Sequence, residues 1–414
     1  MDSEIDIKQF HFSKNSLEKI NNHSSVSYFD WANSWPVVYI INNTNEAYVG
    51  ESYKVKARIE QHLKSKDRQR LTRINIIIDK ESNKSYTLDI ESSLIRYMSA
   101  DGTFLLQNNN YGLVNYNYYN KNINHEKFKN IIWPKLKELG IVKRDLKDIE
   151  NDDLFKFSPF TSLSPDQYDI VENVLNDFCR LLQNKGSVIV RGGPGTGKTL
   201  MGIYMIKLLQ LIRSEFEDGV VAEYVAALQG DVKKVALVVP QIALRQTLKK
   251  VFSKTKGLKS SMVISPNDVL KNNYDLLIID EAHRLRRRKN IANYKQFDSN
   301  NNILSLGKGG TELDWILLHS KMQIFFYDGG QSIKPTDIPI SEFNAKIDEL
   351  KISEYELKSQ FRVSAGEDYV QYIKNILFEH NPERIKFANY DLKLFKSVSD
   401  FISAIKNKDK KHGL

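Results

Sequence analysis

The strongest constraint on the fold is a glycine-rich segment near the middle of the chain, GSVIVRGGPGTGKT at 186–199. A β-branched run at 187–191 leads into the pattern G-x-x-x-x-G-K-T, with a strand predicted before the loop and a helix after it. In that context the backbone N–H groups that glycines leave accessible, together with the positive helix N-terminus, bind phosphate oxygens. The segment therefore predicts a nucleotide-binding α/β domain. Its phosphate-binding residues would be Gly192, Gly193, Pro194, Gly195, Thr196, Gly197, Lys198 and Thr199.

A second motif supports the same site. The run YDLLIIDEAH at 274–283 contains Asp280 and Glu281, at the carboxyl end of a predicted strand, where the ligands of parallel sheets gather. We expect Lys198 to neutralise the β- and γ-phosphates, while Thr199 and Asp280 hold Mg²⁺. Glu281 would orient and activate the attacking water. The predicted cofactors of this domain are therefore ATP and Mg²⁺.

The order of the apolar runs indicates the architecture of this half of the chain. From about residue 161, strands such as KVALVVP, YDLLIID and MQIFFYD alternate with helical segments. That alternation is typical of a parallel sheet with helices on both faces. We expect an α/β P-loop ATPase domain over 161–355. Residues 356–414 indicate one strand and one helix, the start of an incomplete second lobe.

Four motifs together resemble those of superfamily 1 helicase-type ATPases over roughly 160–400. They are the phosphate loop, DEAH, YDGGQSIKP and LKSQFRVS, and the similarity is greatest to a bacterial family of P-loop ATPases that are often fused to nucleases. The resemblance implies a RecA-like fold for the domain and for the lobe after it. It also implies that Gln331 senses the γ-phosphate, that Arg362 acts as an arginine finger, and that Gln167 reads the adenine. Ordinary solvated side chains at these three positions remain the alternative.

The basic residues favour a polyanionic partner. The chain has a formal net charge of +9 and a pI near 9.1, which are typical of many nucleic-acid-binding proteins. One basic cluster, HRLRRRKN at 283–290, overlaps the end of the DEAH motif. Two interpretations of the cluster stay open, because it would either contact nucleic acid phosphates or form a solvated loop.

Residues 1–122 predict a separate small α+β domain with its core at 35–122. Three apolar runs are predicted to be strands, the first two joined as a hairpin by the turn-prone NNTN, and two stretches have helical spacing. The predicted strands are WPVVYII (35–41), EAYVG (46–50) and INIIID (74–79), and the predicted helices are 54–65 and 88–98. The segment 123–160 mixes a helix with the charged run KRDLKDIENDD, which predicts a helical and charged linker.

Six polar positions in this block resemble, in their order, those of the GIY-YIG nuclease superfamily. VVY and YVG stand in place of the two tripeptides that name the superfamily, and the similarity covers about 35–122. The matching residues are Tyr39, Tyr48, Arg58, His62, Glu91 and Asn108. The resemblance implies a metal-dependent endonuclease in which Tyr39 is the general base and Tyr48 assists it.

The residue types suit phosphodiester hydrolysis. A single carboxylate on a helix, Glu91, suits one Mg²⁺ or Mn²⁺ that keeps several waters. The guanidinium of Arg58 is suited to bind the non-bridging oxygens of the phosphate. His62, one helical turn later, faces the same side of the helix. A tyrosine near a cation and an arginine is expected to have a lowered pKa. We also expect Gly50 to let the chain turn closely from strand to helix.

The alternative interpretation of this block is structural. Tyr39 and Tyr48 would then be core aromatics, and Arg58 and His62 would lie on an exposed helix face. Individual tyrosines on strands are more often packed than catalytic, so the order of all six positions carries the nuclease prediction.

The remaining features indicate the compartment. A single cysteine, Cys179, excludes an intrachain disulfide and a cysteine-based zinc site, and it fits a reducing compartment. The segment MDSEIDIKQF lacks the apolar core of a signal peptide, and the longest apolar runs are far shorter than a membrane span. We expect a cytoplasmic protein without a membrane segment.

Three functional hypotheses follow. The leading one is an ATP-dependent or ATP-regulated nuclease that acts on DNA, with RNA left open; such architectures resemble those of restriction and anti-phage defence. In the second, nucleic acid stimulates the ATPase, and the N-terminal domain grips DNA without cutting it. In the third, the chain is a nucleotide-sensing assembly subunit, and a second copy or a partner subunit supplies the arginine of the ATP site.

Overall fold

The chain divides into two compact units, which are considered separately below. One consists of residues 1–193 with 198–357, and the other of residues 194–197 with 358–414. The first unit contains two separate sheets. The computed structural model describes residues 5–25, 29–108, 118–161, 163–181, 184–210, 220–331, 334–358, 366–378, 385–387 and 392–412.

The helices and strands follow the predicted alternation. The first part of the chain contains β1 (Asp6–His11), α1 (Ser16–Ser25), β2 (Val37–Asn42), β3 (Glu46–Ser52), α2 (Val55–Lys64), β4 (Arg73–Ile78), α3 (Lys84–Asp101), β5 (Leu105–Leu106), α4 (Lys121–Lys127), α5 (Trp133–Glu138), α6 (Leu146–Glu150) and α7 (Asp153–Lys156). The second part contains α8 (Pro165–Arg180), β6 (Gly186–Gly192), α9 (Lys198–Leu209), α10 (Val220–Leu228), β7 (Val235–Val238), α11 (Ile242–Lys254), β8 (Val263–Ile264), β9 (Tyr274–Ile279), α12 (Tyr294–Ile303), α13 (Glu312–Leu318), β10 (Ser320–Tyr327), α14 (Ile340–Ile347) and β11 (Lys351–Leu357). The second unit contributes α15 (Gly366–Phe378) and α16 (Val398–His412).

The N-terminal sheet has five strands in the order β1-β4-β2-β3-β5. All neighbours are antiparallel except β3 and β5. Strand β2 is buried along its whole length, which explains its continuous apolar sequence, since both faces of the sheet are covered. The register of the β2–β3 hairpin places Tyr39 directly opposite Gly50.

Successive side chains of β2 enter different cores, as the pleat requires. Tyr39 and Ile41 pack with α1 and α2 on one face, whereas Val38 and Ile40 pack with α3 on the other. Helices α4 to α7 belong to this second core rather than to a tether. Their buried apolar residues include Phe128, Ile132, Trp133, Leu136, Ile149 and Phe155. The segment predicted as a linker, 123–160, is therefore part of the N-terminal core.

The second sheet confirms the predicted parallel α/β architecture. Its six strands lie in the order β11-β6-β10-β9-β7-β8, and every neighbouring pair is parallel. Apolar residues of α8 to α11 cover one face, and those of α13 and α14 cover the other. The inner strands β6, β10, β9 and β7 are mostly buried, as expected of a doubly covered sheet, whereas the edge strand β11 is mostly half-buried or exposed.

The two halves of the first unit are in direct contact. Phe160 belongs to the N-terminal core, and Leu163, three residues on, belongs to the core beside the parallel sheet. The ammonium of Lys207, on α9, lies 5.4 Å from the centre of the Phe160 ring. Thr247, on α11, donates a hydrogen bond of 3.3 Å to Asp153, on α7. Helices from both halves therefore meet without an intervening flexible linker.

In the segments that the structure describes, none of the helices is both long enough and apolar enough to cross a membrane.

Candidate functional sites

The phosphate loop follows β6, and α9 begins at its lysine. The ammonium of Lys198 donates to the carbonyl oxygens of Gly192 at 2.6 Å and Gly193 at 2.7 Å. Gly195 and Gly197 have φ values of 86° and 83°, in the left-handed region that glycine adopts without steric cost. The sequence therefore forms a loop that residues with a Cβ would strain, and its lysine lies at the carboxyl end of β6.

The predicted magnesium ligands of this loop are adjacent. The hydroxyl of Thr199 donates to Asp280 Oδ2 at 2.7 Å. Asp280 is fully buried, and burial raises its pKa to about 6, because a low-dielectric surrounding disfavours the charged form. A hydroxyl and a carboxylate oxygen beside a phosphate-binding loop form a donor set that suits Mg²⁺. The residues present therefore fit the predicted metal.

Glu281 adopts a left-handed conformation with φ of 53°. Arg284 Nε lies 3.2 Å from its carboxylate and His283 Nε2 lies 3.0 Å from it. Burial alone would raise the pKa of Glu281, but the contacts with His283 and Arg284 outweigh burial and lower the pKa. The backbone N–H of Asp328 donates to His283 Nδ1, so the proton of a neutral His283 is on Nε2 and faces Glu281.

Gln331 is connected to Glu281 through a shared arginine. Its amide nitrogen donates to Asp328 Oδ2 at 2.7 Å, and its carbonyl oxygen accepts from Arg284 Nη2 at 3.4 Å. The sequence prediction placed Gln331 at this site but did not assign parts to Arg284 or Asp328. The signal was present in the sequence, since Asp328 directly follows the apolar run of β10, as Asp280 follows β9.

Two further predictions, those for Gln167 and Arg362, remain untested. Gln167 is buried at the start of α8, where its carbonyl oxygen accepts from the backbone N–H of Ser164 and completes a capping box. Its predicted contact with adenine remains a prediction. Arg362, the predicted arginine finger, lies outside the described residues.

The basic cluster at 283–290 is largely engaged in internal ion pairs. Arg286 binds Glu312 through two nitrogens at 2.6 and 2.9 Å, and Arg288 binds Asp298. Arg284 is held by Glu281, as described above. The interpretation of the cluster as a nucleic-acid contact is therefore weakened, because three of its arginines already have carboxylate partners within the chain.

The N-terminal elements bring the predicted tyrosines and histidine into contact. Tyr39 is fully buried, and its hydroxyl lies 2.8 Å from His62 Nε2. The ring centres of Tyr39 and Tyr48 are 6.3 Å apart, and those of Tyr48 and His62 are 5.0 Å apart. Arg58 is exposed to solvent and lies within hydrogen-bonding reach of both tyrosine hydroxyls. One buried and one partly buried phenol therefore lie near a single solvent-exposed guanidinium.

Glu91 is half-buried on α3. Burial raises the pKa of Tyr39 well above its ordinary value; Tyr48 and Glu91 raise it further, while Arg58 lowers it. Burial also raises the pKa of Tyr48. The expectation that Arg58 and a cation lower the tyrosine pKa is therefore not met by the protein alone, because desolvation outweighs the arginine.

The donor set around Glu91 suits a hard cation. Its carboxylate is close enough for its charge to act on both tyrosine hydroxyls, and carboxylate, hydroxyl and water oxygens are the ligands that Mg²⁺ prefers. In the described parts of the chain, histidine, cysteine, aspartate and glutamate side chains do not group in threes or more to form a metal site. A metal held by the single carboxylate of Glu91 remains a prediction.

Asn108 and Gly50 shape strand β3 beside the tyrosines. Asn108 is buried, accepts from Val49 N–H at 2.8 Å and donates to Val49 C=O at 2.6 Å. It thus fixes the backbone between Tyr48 and Gly50. A Cβ on Gly50 would lie 2.4 Å from the Tyr39 hydroxyl oxygen. Gly50 is needed for this close approach within β3, and not for the turn into α2 that the sequence predicted.

The sequence prediction missed Arg68. Its Nη1 lies 2.8 Å from His62 Nδ1, and its guanidinium carbon lies 3.8 Å from the centre of the Tyr48 ring. Arg68 follows α2 on a short turn, Lys66–Arg68, so no periodic pattern connects it to the other residues.

Arg58 also borders an open groove of about 750 Å³ on the surface. Two aromatic and two charged side chains line the groove beside Arg58, together with small and polar residues. They are Ser34, Trp35, Pro36, Glu51, Ser52, Tyr53 and Lys84. The groove therefore connects bulk solvent with the guanidinium that reaches both tyrosines.

Comparison with known proteins agrees with the second half of the chain. The parallel sheet, the phosphate loop and the Thr199–Asp280 pair define a helicase-like P-loop ATPase domain. The model of the family described as Schlafen group 3, DNA/RNA helicase domain, matches residues 185–414, more than half of the chain. The protein belongs to this family. The match begins at residue 185, so the N-terminal site rests on its own geometry.

Similarity to solved structures is weak. One structure that matches is the crystal structure of a DNA replication initiation factor, with 14% sequence identity and a TM-score of 0.25. The match covers 62% of this chain and 65% of that chain. No curated protein matches the chain.

Proposed function

We propose that the protein is a metal-dependent nuclease, expected to act on DNA, whose cleavage is driven or regulated by ATP. The observation that carries the proposal is the convergence of residues from four elements of the N-terminal domain. Tyr39 on β2, Tyr48 on β3 and His62 on α2 are in mutual contact. Arg58 lies within reach of both hydroxyls, and the charge of Glu91, on α3, acts on both.

Packing alone does not account for this arrangement. Buried tyrosine hydroxyls usually have a hydrogen-bond partner, and here the Tyr39 hydroxyl contacts a buried histidine, while the charges of an arginine and a glutamate act on both hydroxyls. His62 is buried, while Arg58, one turn earlier, remains exposed. A set of titratable groups with strongly shifted pKa values at the edge of a groove is typical of an active site.

The residues suit distinct parts of phosphodiester hydrolysis. Arg58 would bind the non-bridging phosphate oxygens, and Glu91 would hold a divalent cation that, when bound, stabilises negative charge on the phosphate. Tyr39, as the phenolate, would take a proton from a water molecule while the oxygen of that water attacks phosphorus. The leaving oxygen then takes a proton from solvent, and Tyr39 returns its proton to solvent. Because burial raises the pKa of Tyr39, this role requires hydrogen-bond donors that stabilise the phenolate.

The groove beside Arg58 suits a nucleic acid strand. Lys84 and Tyr53 both line it and both are exposed, Lys84 by 63% of its side chain and Tyr53 by 55%. Lys84 forms an ion pair with Glu51 in the groove, which a phosphate would have to displace. Cationic side chains contact phosphates, and exposed aromatic rings stack with bases. We propose that the strand to be cut enters along this groove.

The P-loop domain would supply ATP hydrolysis. Lys198 would bind the phosphates, Thr199 and Asp280 would hold Mg²⁺, and Glu281 would activate water. The lowered pKa of Glu281 keeps its carboxylate charged, as this role requires. The family name includes DNA/RNA helicase, which supports nucleic acid as the partner of this domain.

A cleavage assay with three variants tests the proposal. Plasmid DNA is incubated with Mg²⁺ or Mn²⁺, with and without ATP, using wild type, Glu91→Gln and Lys198→Ala. Glu91→Gln should lose cleavage by at least about 100-fold and keep ATP hydrolysis, whereas Lys198→Ala should lose hydrolysis and the effect of ATP on cleavage. Asp89→Asn is the matched control, because Asp89 lies on the same helix and accepts from Tyr118 instead. Unchanged cleavage by Glu91→Gln would contradict the site.

A second candidate function is a nucleic-acid-stimulated ATPase whose N-terminal domain binds DNA without cutting it. The complete phosphate-loop geometry and the family match favour it, since both concern the ATPase alone. In the same assay, it predicts ATP hydrolysis that rises with added nucleic acid while no variant, including wild type, cuts the plasmid. The third hypothesis, an assembly subunit whose ATP site a partner completes, predicts association when a non-hydrolysable ATP analogue is added.

A further inference from the structure

We infer that Arg68 is a positioning residue of the proposed nuclease site: it fixes the tautomer of His62 and thereby makes the oxygen of Tyr39 a hydrogen-bond acceptor. The inference rests on the proposed function for its catalytic meaning, but the hydrogen-bond polarity it describes is a property of the folded chain. Arg68 lies outside the six positions that the sequence singles out.

The polarity follows from the chemistry of three side chains in a row. A guanidinium has donors and no acceptor, so the 2.8 Å contact between Arg68 Nη1 and His62 Nδ1 requires a lone pair on Nδ1. The single proton of the neutral imidazole is then on Nε2. Nε2 lies 2.8 Å from the Tyr39 hydroxyl oxygen, so His62 donates and Tyr39 accepts.

This polarity prepares Tyr39 for its proposed part in the reaction. Arg58, also a donor only, lies within reach of the same oxygen. Because Nε2 donates to the phenol oxygen, the phenol proton must point away from His62. Once that proton is lost, the same donor stabilises the phenolate, and the charge of Arg58 also favours it. The opposite tautomer of His62 would instead accept a hydrogen bond from the phenol O–H and favour the neutral form of Tyr39.

The surroundings of Arg68 are those of a residue that acts on His62 and Tyr48. Within the described parts of the chain, no carboxylate lies at ion-pair distance from Arg68, so an ordinary salt bridge does not explain its position. Its guanidinium carbon lies 3.8 Å from the centre of the Tyr48 ring, a cation–π contact. Burial is the largest cause of the low pKa of His62, and the charge of Arg68 is the second. Because the imidazole is therefore neutral, it carries a single proton, and the tautomer decides which nitrogen holds it.

Nitrogen NMR of the full chain tests the polarity directly. The protein has 8 histidines; with ¹⁵N-labelled histidine, the His62 signals are assigned by their loss in His62→Gln. Wild type should show His62 protonated on Nε2 alone. Arg68→Met removes the donor and should add the Nδ1-protonated form, whereas Arg68→Lys, which keeps a donor, should retain the wild-type signals. Arg70→Met is the control, because Arg70 is exposed.

The outcomes separate the inference from the proposed function. A wild-type His62 protonated on Nδ1, or an unchanged tautomer in folded Arg68→Met, would overturn the inference whether or not the protein cuts DNA. If wild type cuts DNA, Arg68→Met should lower the rate at least tenfold, and Arg68→Lys should restore most of it. Equal loss in Arg68→Met and Arg68→Lys, with wild-type tautomers in both, would also overturn it. Failure of wild type to cut any substrate would instead reject the proposed nuclease.

Discussion

At the scale of single residues, burial decides the charge states of the N-terminal site. His62 is almost completely buried between Tyr39 and Arg68. Burial, followed by the charges of Arg68 and Arg58, lowers the pKa of His62 to about 3. An imidazole in this position is neutral at every pH at which the protein would work, so it can donate one proton in a hydrogen bond but does not act as a charged group.

The low pKa of His62 predicts a pH-dependent loss of stability in mild acid. The unfolded chain takes up a proton near pH 6.5, whereas the folded chain takes it up only near pH 3, so stability is full above 6.5 and falls as the pH is lowered between the two values. At pH 5 the loss is on the order of 2 kcal/mol. Urea unfolding of wild type and His62→Gln at pH 7 and pH 5 measures it. The stability difference between the two proteins should shrink by about this amount, and a constant difference would contradict the assigned charge state.

At the scale of secondary-structure elements, the N-terminal site depends on the register of the β2–β3 hairpin. Tyr39 on β2 pairs with Gly50 on β3, and the phenol lies across the space that a side chain at position 50 would occupy. Asn108 holds the next residue of β3, Val49, by both backbone groups. The positions of the two tyrosines are therefore set by backbone contacts of their strands.

Gly50→Ala should displace Tyr39 and reduce cleavage without affecting the ATPase. The new Cβ would lie 2.4 Å from the hydroxyl oxygen and 2.5 Å from Cζ, so the ring or the strand must move, at a cost of about 1–3 kcal/mol. Unfolding experiments and parallel cleavage and ATPase assays measure the two effects. In the double variant with Tyr39→Phe, part of the lost stability should return because the nearest atom is gone, while cleavage should not. A fully active Gly50→Ala would reject the predicted role of this contact.

A second element-scale prediction concerns the segment 283–290. Glu312 is fully buried on α13 and accepts from the backbone and side chain of Arg286. Arg286→Gln leaves the buried carboxylate without its cation, which should destabilise the protein by about 3 kcal/mol. Lys289→Gln, an exposed position in the same segment, should change the free energy of unfolding by less than about 0.5 kcal/mol. If the two substitutions changed the free energy of unfolding in urea equally, the ion pair of Arg286 with Glu312 would not stabilise the fold.

How much the sequence could predict follows from the range of the interactions. The phosphate loop and the strand before Asp280 are encoded in contiguous patterns, so both the fold of the P-loop domain and the Thr199–Asp280 contact were accessible. The contacts of Arg68 and the Arg286–Glu312 ion pair form between residues that only the tertiary structure brings together. No local sequence pattern predicts them. The segment 123–160 was misjudged because charged residues surround Ile149 and Phe155, and only the structure shows those two side chains buried.

At the scale of the whole molecule, the first unit joins the two candidate sites through packed helices. Helix α9 begins at Lys198 in the phosphate loop and carries Lys207 against Phe160 of the N-terminal core. Helix α11 contacts α7 through Thr247 and Asp153. Energetic coupling requires such a chain of packed elements. If these contacts transmit free energy, ATP binding at the phosphate loop must stabilise the N-terminal half as well.

The placement of the tryptophans allows this coupling to be measured. Three of the 4 tryptophans, Trp31, Trp35 and Trp133, lie in the N-terminal half, and Trp315 lies in the P-loop half, so fluorescence of Trp315→Phe reports on the N-terminal half alone. A non-hydrolysable ATP analogue with Mg²⁺ at about 100 times its Kd should stabilise the bound state by about 2.7 kcal/mol. For a cooperative unit of this size, the unfolding midpoint of the N-terminal fluorescence should rise by about 4 °C.

Lys198→Ala in the same background should abolish the rise, because the analogue no longer binds. A midpoint that the analogue leaves unchanged in Trp315→Phe, while the fluorescence of wild type, which includes Trp315, shows a shifted transition, would show that the halves unfold independently and would contradict coupling through their interface.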